Sequence, residues 1–356
     1  MLSATSQGAY LAGVIEGFYG CAWSWSARES TIDFLRQRGL GAYVYAPKSD
    51  PFLRRRWAEP WPSATFAQLQ QLGRRCRAAG IAWGVGWSPF EVYRCYGPSS
   101  RASIRDKLAE LNELEPDILC VLFDDMRGDL PELAALQLAI VHDIAAASRA
   151  RRHIFCPTYY SEDGVLEKVF GAMPRGYWTE LGSGLDPAID YFWTGDRVCS
   201  HSYSRQSVAA ITAAMGRPPV LWDNYPVNDG ARMSRFLHLL PFQGRPGHGD
   251  DWVRGHLVNP MNQAWLSRIA LCTLEGSGVP AAASFDEAVG TVCAGRLGEL
   301  LQRDVALFTQ GGLDAIAGSA GAALRREYGA IDHPCAREVV AWLSGQYQFD
   351  PACLTD

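Results

Sequence analysis

Apolar residues along this chain fall into two alternating patterns. Short runs of β-branched, aromatic and aliphatic residues lack polar alternation, and between them apolar positions recur at helical spacing. The unalternating runs are GVIEGFYG (13–20), GAYVYAPK (41–48), IAWGVGWS (81–88), DILCVLFDD (117–125), HIFCPTYY (153–160), YFWTG (191–195), PPVLWDNYP (218–226) and VRGHLVNP (253–260). Such runs are strands covered on both faces, as in a parallel sheet. Helical periodicity predicts helices over 26–38, near 65–79, over 101–114, over 131–149 and from about 262 to 275. Strand and helix units in that order predict an α/β fold, a (β/α)8 TIM barrel over 12–280. From 281 to 356 the pattern changes: AGRLGELLQRDVALF and AREVVAWLSGQY read as a small helical C-terminal appendage. Apolar faces on such appendages make core packing or dimer contacts, and a homodimer through these helices is the oligomer to test.

The fourth run ends in two adjacent carboxylates, Asp124 and Asp125, and this changes the reading from fold to chemistry. Two like charges side by side push their pKa values apart, and a water-poor pocket raises one further. One acid then stays protonated while the other stays charged, which is the division of labour of a glycosidase site. The alternative is helix capping. Asp129, with Leu130, Pro131 and Glu132 after it, already offers a cap and first turn for the next helix, so capping is the weaker reading of the pair.

The other strand ends carry the same kind of residue. Glu16, Tyr19, Lys48, Ser88, Tyr160, Trp193, Trp222, Asn224 and Asn259 fall there, where a TIM barrel places its active site. Amides, carboxylates, one ammonium and aromatic rings suit a polyhydroxylated ligand. Individually several are ambiguous. Lys48 is either a hydrogen-bond donor, the favoured role, or a Schiff-base lysine. Asn224 and Asp229 alone read as turn formers. Glu16 points into the barrel or toward its mouth and receives no catalytic role, and Trp87 and Trp193 also fit core positions.

Composition narrows the classes. With 356 residues, 48% of them hydrophobic, the chain can bury a large core. A net charge of −5 with scattered arginine pairs gives no cationic stripe, so nucleic acid is not an expected partner. No run approaches the ~18 apolar residues of a membrane span. The ten cysteines form no CxxC pair and several lie inside apolar runs, which fits reduced core thiols and a cytoplasmic protein. The seven histidines show no HxH or HExxH spacing, and neither a P-loop nor a GxGxxG turn is present. No metal and no cofactor is expected.

Several of these stretches together resemble one family, the O-GlcNAcase-like N-acetyl-β-glucosaminidases of glycoside hydrolase family 84. The resemblance runs from about 12 to 275 through GVIEGFYG (13–20), YAPKSD (45–50), WAEPWP (57–62), LFDDM (122–126), CPTYY (156–160), WTG (193–195), WDNYPVND (222–229) and VNPM (258–261). It implies substrate-assisted retention, in which the 2-acetamido oxygen attacks the anomeric carbon and water opens the resulting oxazoline. By the same resemblance Asp124 orients the acetamide N–H, and Asp125 is the general acid and later the base. Gly17 and Lys48 would contact sugar hydroxyls, Tyr160 would hold the acetamide carbonyl, and Trp222 would wall the pocket. Asn224 would bond near the acetamide and the acids, and Asp229 with Asn259 would take the far hydroxyls. Ser49 stands where the family often has Asp, Ala58 where it often has Arg, and Tyr159 where an acidic residue is common. These departures bear on aglycone preference more than on chemistry.

The residues alone do not separate acetamide assistance from a carboxylate nucleophile, because two-acid retaining enzymes place their groups only ~5 Å apart. The expected activity is removal of terminal GlcNAc from O-GlcNAc-modified protein or small β-GlcNAc glycosides. A hyaluronan- or chitin-fragment hydrolase is the alternative within the class. A non-catalytic sugar-binding barrel and a Lys48 aldolase are the alternatives outside it.

Overall fold

Continuous apolar runs bury both faces of a strand, and here they close on one another. In the computed structural model, which describes residues 10–316, 318–347 and 349–355, parallel strands pair in sequence order into a closed barrel, β1 to β8. They are β1 (Leu11–Glu16), β2 (Ala42–Tyr45), β3 (Ala82–Trp87), β4 (Ile118–Leu122), β5 (Arg152–Cys156), β6 (Ile189–Trp193), β7 (Val220–Asp223) and β8 (Gly255–Val258). Closure is made by β1 on β8, with Leu11 opposite Gly255 and Val14 opposite Val258.

The strands stop earlier than the apolar runs do. The first run reaches Gly20 but its ladder ends at Glu16, and the fourth reaches Asp125 but its ladder ends at Leu122. The residues left over form the loops at the C-terminal mouth. That is where most of the polar candidates sit.

Helices follow most strands. Trp25–Gln37 starts where the Ser24 hydroxyl accepts the Ala27 N–H, and Ser63–Ala79 ends at Gly80 in the left-handed region. Pro98–Glu113 begins on its proline, whose fixed φ suits a first turn. Two expectations need correction. The helix after β4 is Leu133–Ala147, and Asp129 does not cap it; its carboxylate instead takes the Arg127 guanidinium at 2.6 Å. The closing helix is only Ser267–Leu271, because N–H groups ahead of it go to side chains. Asn228 takes the Asn262 N–H, and Glu338 takes those of Trp265 and Leu266.

The segment after 281 is helical as expected, over Phe285–Val292, Arg296–Ala306, Gly318–Gly329 and Pro334–Leu343. Its apolar face lies on the barrel's own loops. Trp342 donates to the Ser234 carbonyl, the Phe308 carbonyl accepts the Leu237 N–H, and both rings belong to one core with the barrel. No helix of the described residues is long and apolar enough to cross a membrane.

Candidate active site

The site is built on the turn after β4. Its carbonyls are claimed in succession by side chains from neighbouring loops. Ser88 donates to the Leu122 carbonyl at 3.0 Å and Thr158 to the Phe123 carbonyl at 2.8 Å. Arg54 donates to the Asp125 carbonyl at 3.1 Å, and Tyr93 to that of Arg127 at 2.6 Å. Held in this way, Asp125 adopts φ +56°, a left-handed conformation uncommon for a residue with a side chain. Successive residues of a strand point to opposite faces. The ladder's end at Leu122 and the left-handed step remove that restriction, and both carboxylates enter one pocket.

Lys48, from the loop after β2, donates to Asp124 Oδ2 and lies 4.0 Å from Asp125 Oδ2. It is therefore a donor to a carboxylate, Asp124, which is the role favoured from sequence. Asp124 Oδ1 is buried with no hydrogen-bond partner among the described residues. Asp125 receives the Tyr19 hydroxyl on Oδ2 at 2.6 Å, and the Tyr160 hydroxyl lies 3.5 Å from Oδ1. Burial raises the Asp125 pKa, and the charge of Asp124 adds to the rise. Lys48, Arg54 and the Tyr19 hydrogen bond oppose it without cancelling it. The same burial and the same aspartates push the Tyr160 hydroxyl well above its ordinary value, so it stays a neutral donor.

The opposite wall comes from β1, β7 and β8. Trp222, buried and packed edge-on against Phe192 at 5.1 Å, lies over Gly17. A Cβ at Gly17 would stand 2.4 Å from the Trp222 ring, so the wall reaches its position only over a glycine. Asn224 Oδ1 accepts both Trp222 Nε1 and Asn259 Nδ2 at 2.9 Å, and Asn259 Oδ1 accepts the Gly17 N–H at 3.1 Å. Asn224 thus ties the wall together. Asp229 accepts the Tyr19 N–H at 2.7 Å.

All nine residues singled out from sequence, Gly17, Lys48, Asp124, Asp125, Tyr160, Trp222, Asn224, Asp229 and Asn259, line one cavity. The empty space among the lining atoms, with the open mouth included, is about 590 Å³. Of the other strand-end residues Tyr19 also lines it, whereas Glu16, Ser88, Trp87 and Trp193 do not. Glu16 points neither into the barrel nor to its mouth; it turns outward to Arg28 of helix Trp25–Gln37, with bonds of 2.7 and 2.9 Å, and also accepts the Tyr43 hydroxyl. Trp87 and Trp193 are fully buried. Asp50, in the YAPKSD stretch, is a loop anchor that accepts Tyr45, Trp61 and the Phe52 N–H.

Two contributions were not singled out from sequence. Arg54, buried over the Tyr19 and Phe90 rings, sits in a run of three arginines that reads as surface charge. Cys353 and Thr355 belong to the segment after the last helix yet line the cavity, and no periodicity connects them to it.

Outside the pocket, Cys293, His333 and Cys335 bring one ligating atom each within 4.8 Å of one another. His333 is the N-cap of Pro334–Leu343, and its Nδ1 accepts the Cys335 N–H at 3.2 Å. The Arg268 guanidinium interacts with the Cys335 sulfur, and a fixed cation there opposes a divalent ion. The cluster is accounted for as a helix start packed on a thiol.

A family model described as beta-N-acetylglucosaminidase (NAGidase) matches residues 12–284. The Protein O-GlcNAcase of Rattus norvegicus and that of Mus musculus are each 28% identical to the chain over 274 residues, covering 74% of this chain and 29% of theirs. The chain thus spans less than a third of the length of these curated relatives. A solved mutant O-GlcNAc hydrolase of Thermobaculum terrenum superposes with a TM-score of 0.74 at 26% identity, covering 95% of this chain and 81% of that one. The family-84 resemblance read from the strand-end motifs is borne out, and the chain belongs to the β-N-acetylglucosaminidase family.

Proposed function

We propose that the chain is a retaining exo-β-N-acetylglucosaminidase that works by substrate assistance on terminal GlcNAc. The observation that carries this reading is the unequal pair at the end of β4. Asp124 is engaged by Lys48 on one oxygen and has its other oxygen buried without a partner, while Asp125 is held toward its protonated form. A buried acceptor left unpaired costs about 1–3 kcal/mol, and an amide N–H from the ligand removes that cost.

The 2-acetamido N–H of the sugar donates to Asp124 Oδ1, which turns the acetamide oxygen toward the anomeric carbon. As that oxygen attacks, Asp125 gives its proton to the departing glycosidic oxygen. The C–O bond breaks and a bicyclic oxazoline forms as the acetamide N–H proton passes to Asp124, which returns it to the nitrogen when the ring opens. Asp125, now a carboxylate, takes a proton from water, which opens the oxazoline with overall retention. The Lys48 ammonium holds Asp124 through its hydrogen bond to Oδ2, and Tyr160 donates to the acetamide side. Trp222 packs against the sugar's C–H face, with Asp229 and Asn259 at the remaining hydroxyls.

Relatives named O-GlcNAcase and O-GlcNAc hydrolase support O-GlcNAc-modified protein or small β-GlcNAc glycosides as substrates. A cytoplasmic place of action belongs to the same reading and is supported by ten cysteines that remain thiols. The test is the hydrolysis rate of nitrophenyl β-GlcNAc beside analogues with one, two and three fluorines on the acetamide. A steep fall with fluorination is expected, because fluorine weakens the acetamide oxygen as a nucleophile. A flat series would give the nucleophile's role to a carboxylate. No turnover of any member, with GlcNAc still bound, would make the barrel a binding protein.

A further inference from the structure

The residues after helix Pro334–Leu343 return to the barrel mouth. Asp350 makes the turn: its Oδ1 accepts the Ala352 N–H and its carbonyl accepts the Cys353 N–H, both at 2.9 Å. Cys353 and Thr355 then join Asp125, Tyr160 and Asp229 in the lining of the sugar pocket. The Cys353 thiol points at Asp229 Oδ1, 3.9 Å away, and the Thr355 side chain faces the Tyr160 hydroxyl. Asp229 and Tyr160 are the groups assigned above to a sugar's far hydroxyls and acetamide.

Beyond Tyr347, which packs against the core, the segment makes little use of its apolar residues. Leu354 is 57% exposed and Phe349 43% exposed, the two most exposed large hydrophobic side chains among the described residues. A segment fixed by packing would bury them, at roughly 1.5–3 kcal/mol each. This one is held by polar contacts, whose net worth is about 1 kcal/mol apiece. It is seated where the ligand goes and is weakly fastened.

We propose that residues 350–355 are an intramolecular occupant of the sugar pocket that substrate must displace, so that the chain holds its own active site partly closed. The competition rests on the function proposed above; the seating of the segment does not. A segment seated nine-tenths of the time lowers the competent fraction to one-tenth and raises apparent KM about tenfold. Saturating substrate displaces it, so kcat is unchanged.

The experiment compares the full chain with one ending at residue 349, using nitrophenyl β-GlcNAc. The shortened chain is expected to show a KM lower by several-fold at equal kcat. A synthetic peptide of residues 350–355 is expected to inhibit it competitively. Equal KM values in two folded chains would overturn the proposal, as would a loss of kcat on shortening, which would make the segment part of the catalytic apparatus. If the shortened chain does not fold, the Cys353→Ala/Thr355→Ala double variant decides by the same KM criterion. If neither chain hydrolyses any glycoside, the functional reading fails by itself. Calorimetric binding of the peptide to the shortened chain then tests the segment, with binding supporting its seat and no binding refuting it.

Discussion

The Tyr19 hydroxyl donates to Asp125 Oδ2 at 2.6 Å, joining the end of β1 to the acid at the end of β4. That bond favours the carboxylate form and fixes the side chain on a backbone already constrained to φ +56°. Tyr19→Phe removes it. A hydrogen bond to a charged group is worth about 1.5–3 kcal/mol, so kcat/KM is expected to fall roughly tenfold to a hundredfold. The alkaline limb of the pH profile should move upward, because the raised Asp125 pKa rises further. A profile unmoved by the substitution would remove Tyr19 from the acid's control.

Lys48 and Asp124 act on Asp125 with opposite signs. The ammonium lowers its pKa and the neighbouring carboxylate raises it, both against a larger upward push from burial. Lys48→Gln is therefore expected to shift the alkaline limb of kcat/KM to higher pH. Asp124→Asn is expected to shift it lower, since it removes a like charge and leaves Lys48, 4.0 Å from Asp125, without its nearer partner. Both profiles are measured on a glycoside with a poor leaving group, where protonation limits the rate. Shifts in the same direction would contradict the assignment of the acid.

Gly17 is required by the wall it faces. A methyl group there would overlap Trp222, whose ring is held by Phe192 on one side and by its bond to Asn224 on the other. Gly17→Ala is expected to cost about 1–3 kcal/mol of stability by overpacking and to raise KM through displacement of the ring. Thermal unfolding and steady-state kinetics read the two effects separately. An unchanged Tm and KM would mean that the ring moves freely.

Glu338 carries a stability effect remote from catalysis. Burial raises its carboxyl from 4.5 to about 7, although backbone N–H groups of Trp265 and Leu266 work the other way. Between these two values the folded state holds a proton that the unfolded state has released, so stability falls as pH rises from about 4.5 to 7 and is flat beyond. The shift corresponds to a loss on the order of 3 kcal/mol. Glu338→Gln is expected to remove this slope. Urea unfolding of both chains at pH 5 and pH 8 checks it, and a variant with the parent's slope would refute it.

Much of this protein is legible in the order of its residues. Continuous apolar runs separated by helical stretches determine a parallel barrel, since strands covered on both faces cannot alternate polar and apolar residues. A barrel of that kind places its strand ends at one mouth, so the polar residues ending the runs have to meet there, and nine of the candidates line one pocket. What the sequence left open depends on contacts between distant positions. Glu16 and Asp125 both belong to apolar runs, yet Glu16 is still within the β1 ladder and meets Arg28 outside the barrel, whereas Asp125 lies past the β4 ladder, where the left-handed turn brings it inward. Tyr19 and Asp125 stand 106 residues apart, and Cys353 meets Asp229 across 124. Periodicity reports which face of an element is buried; which side chain meets which across closed strands is decided by the packing of the whole chain.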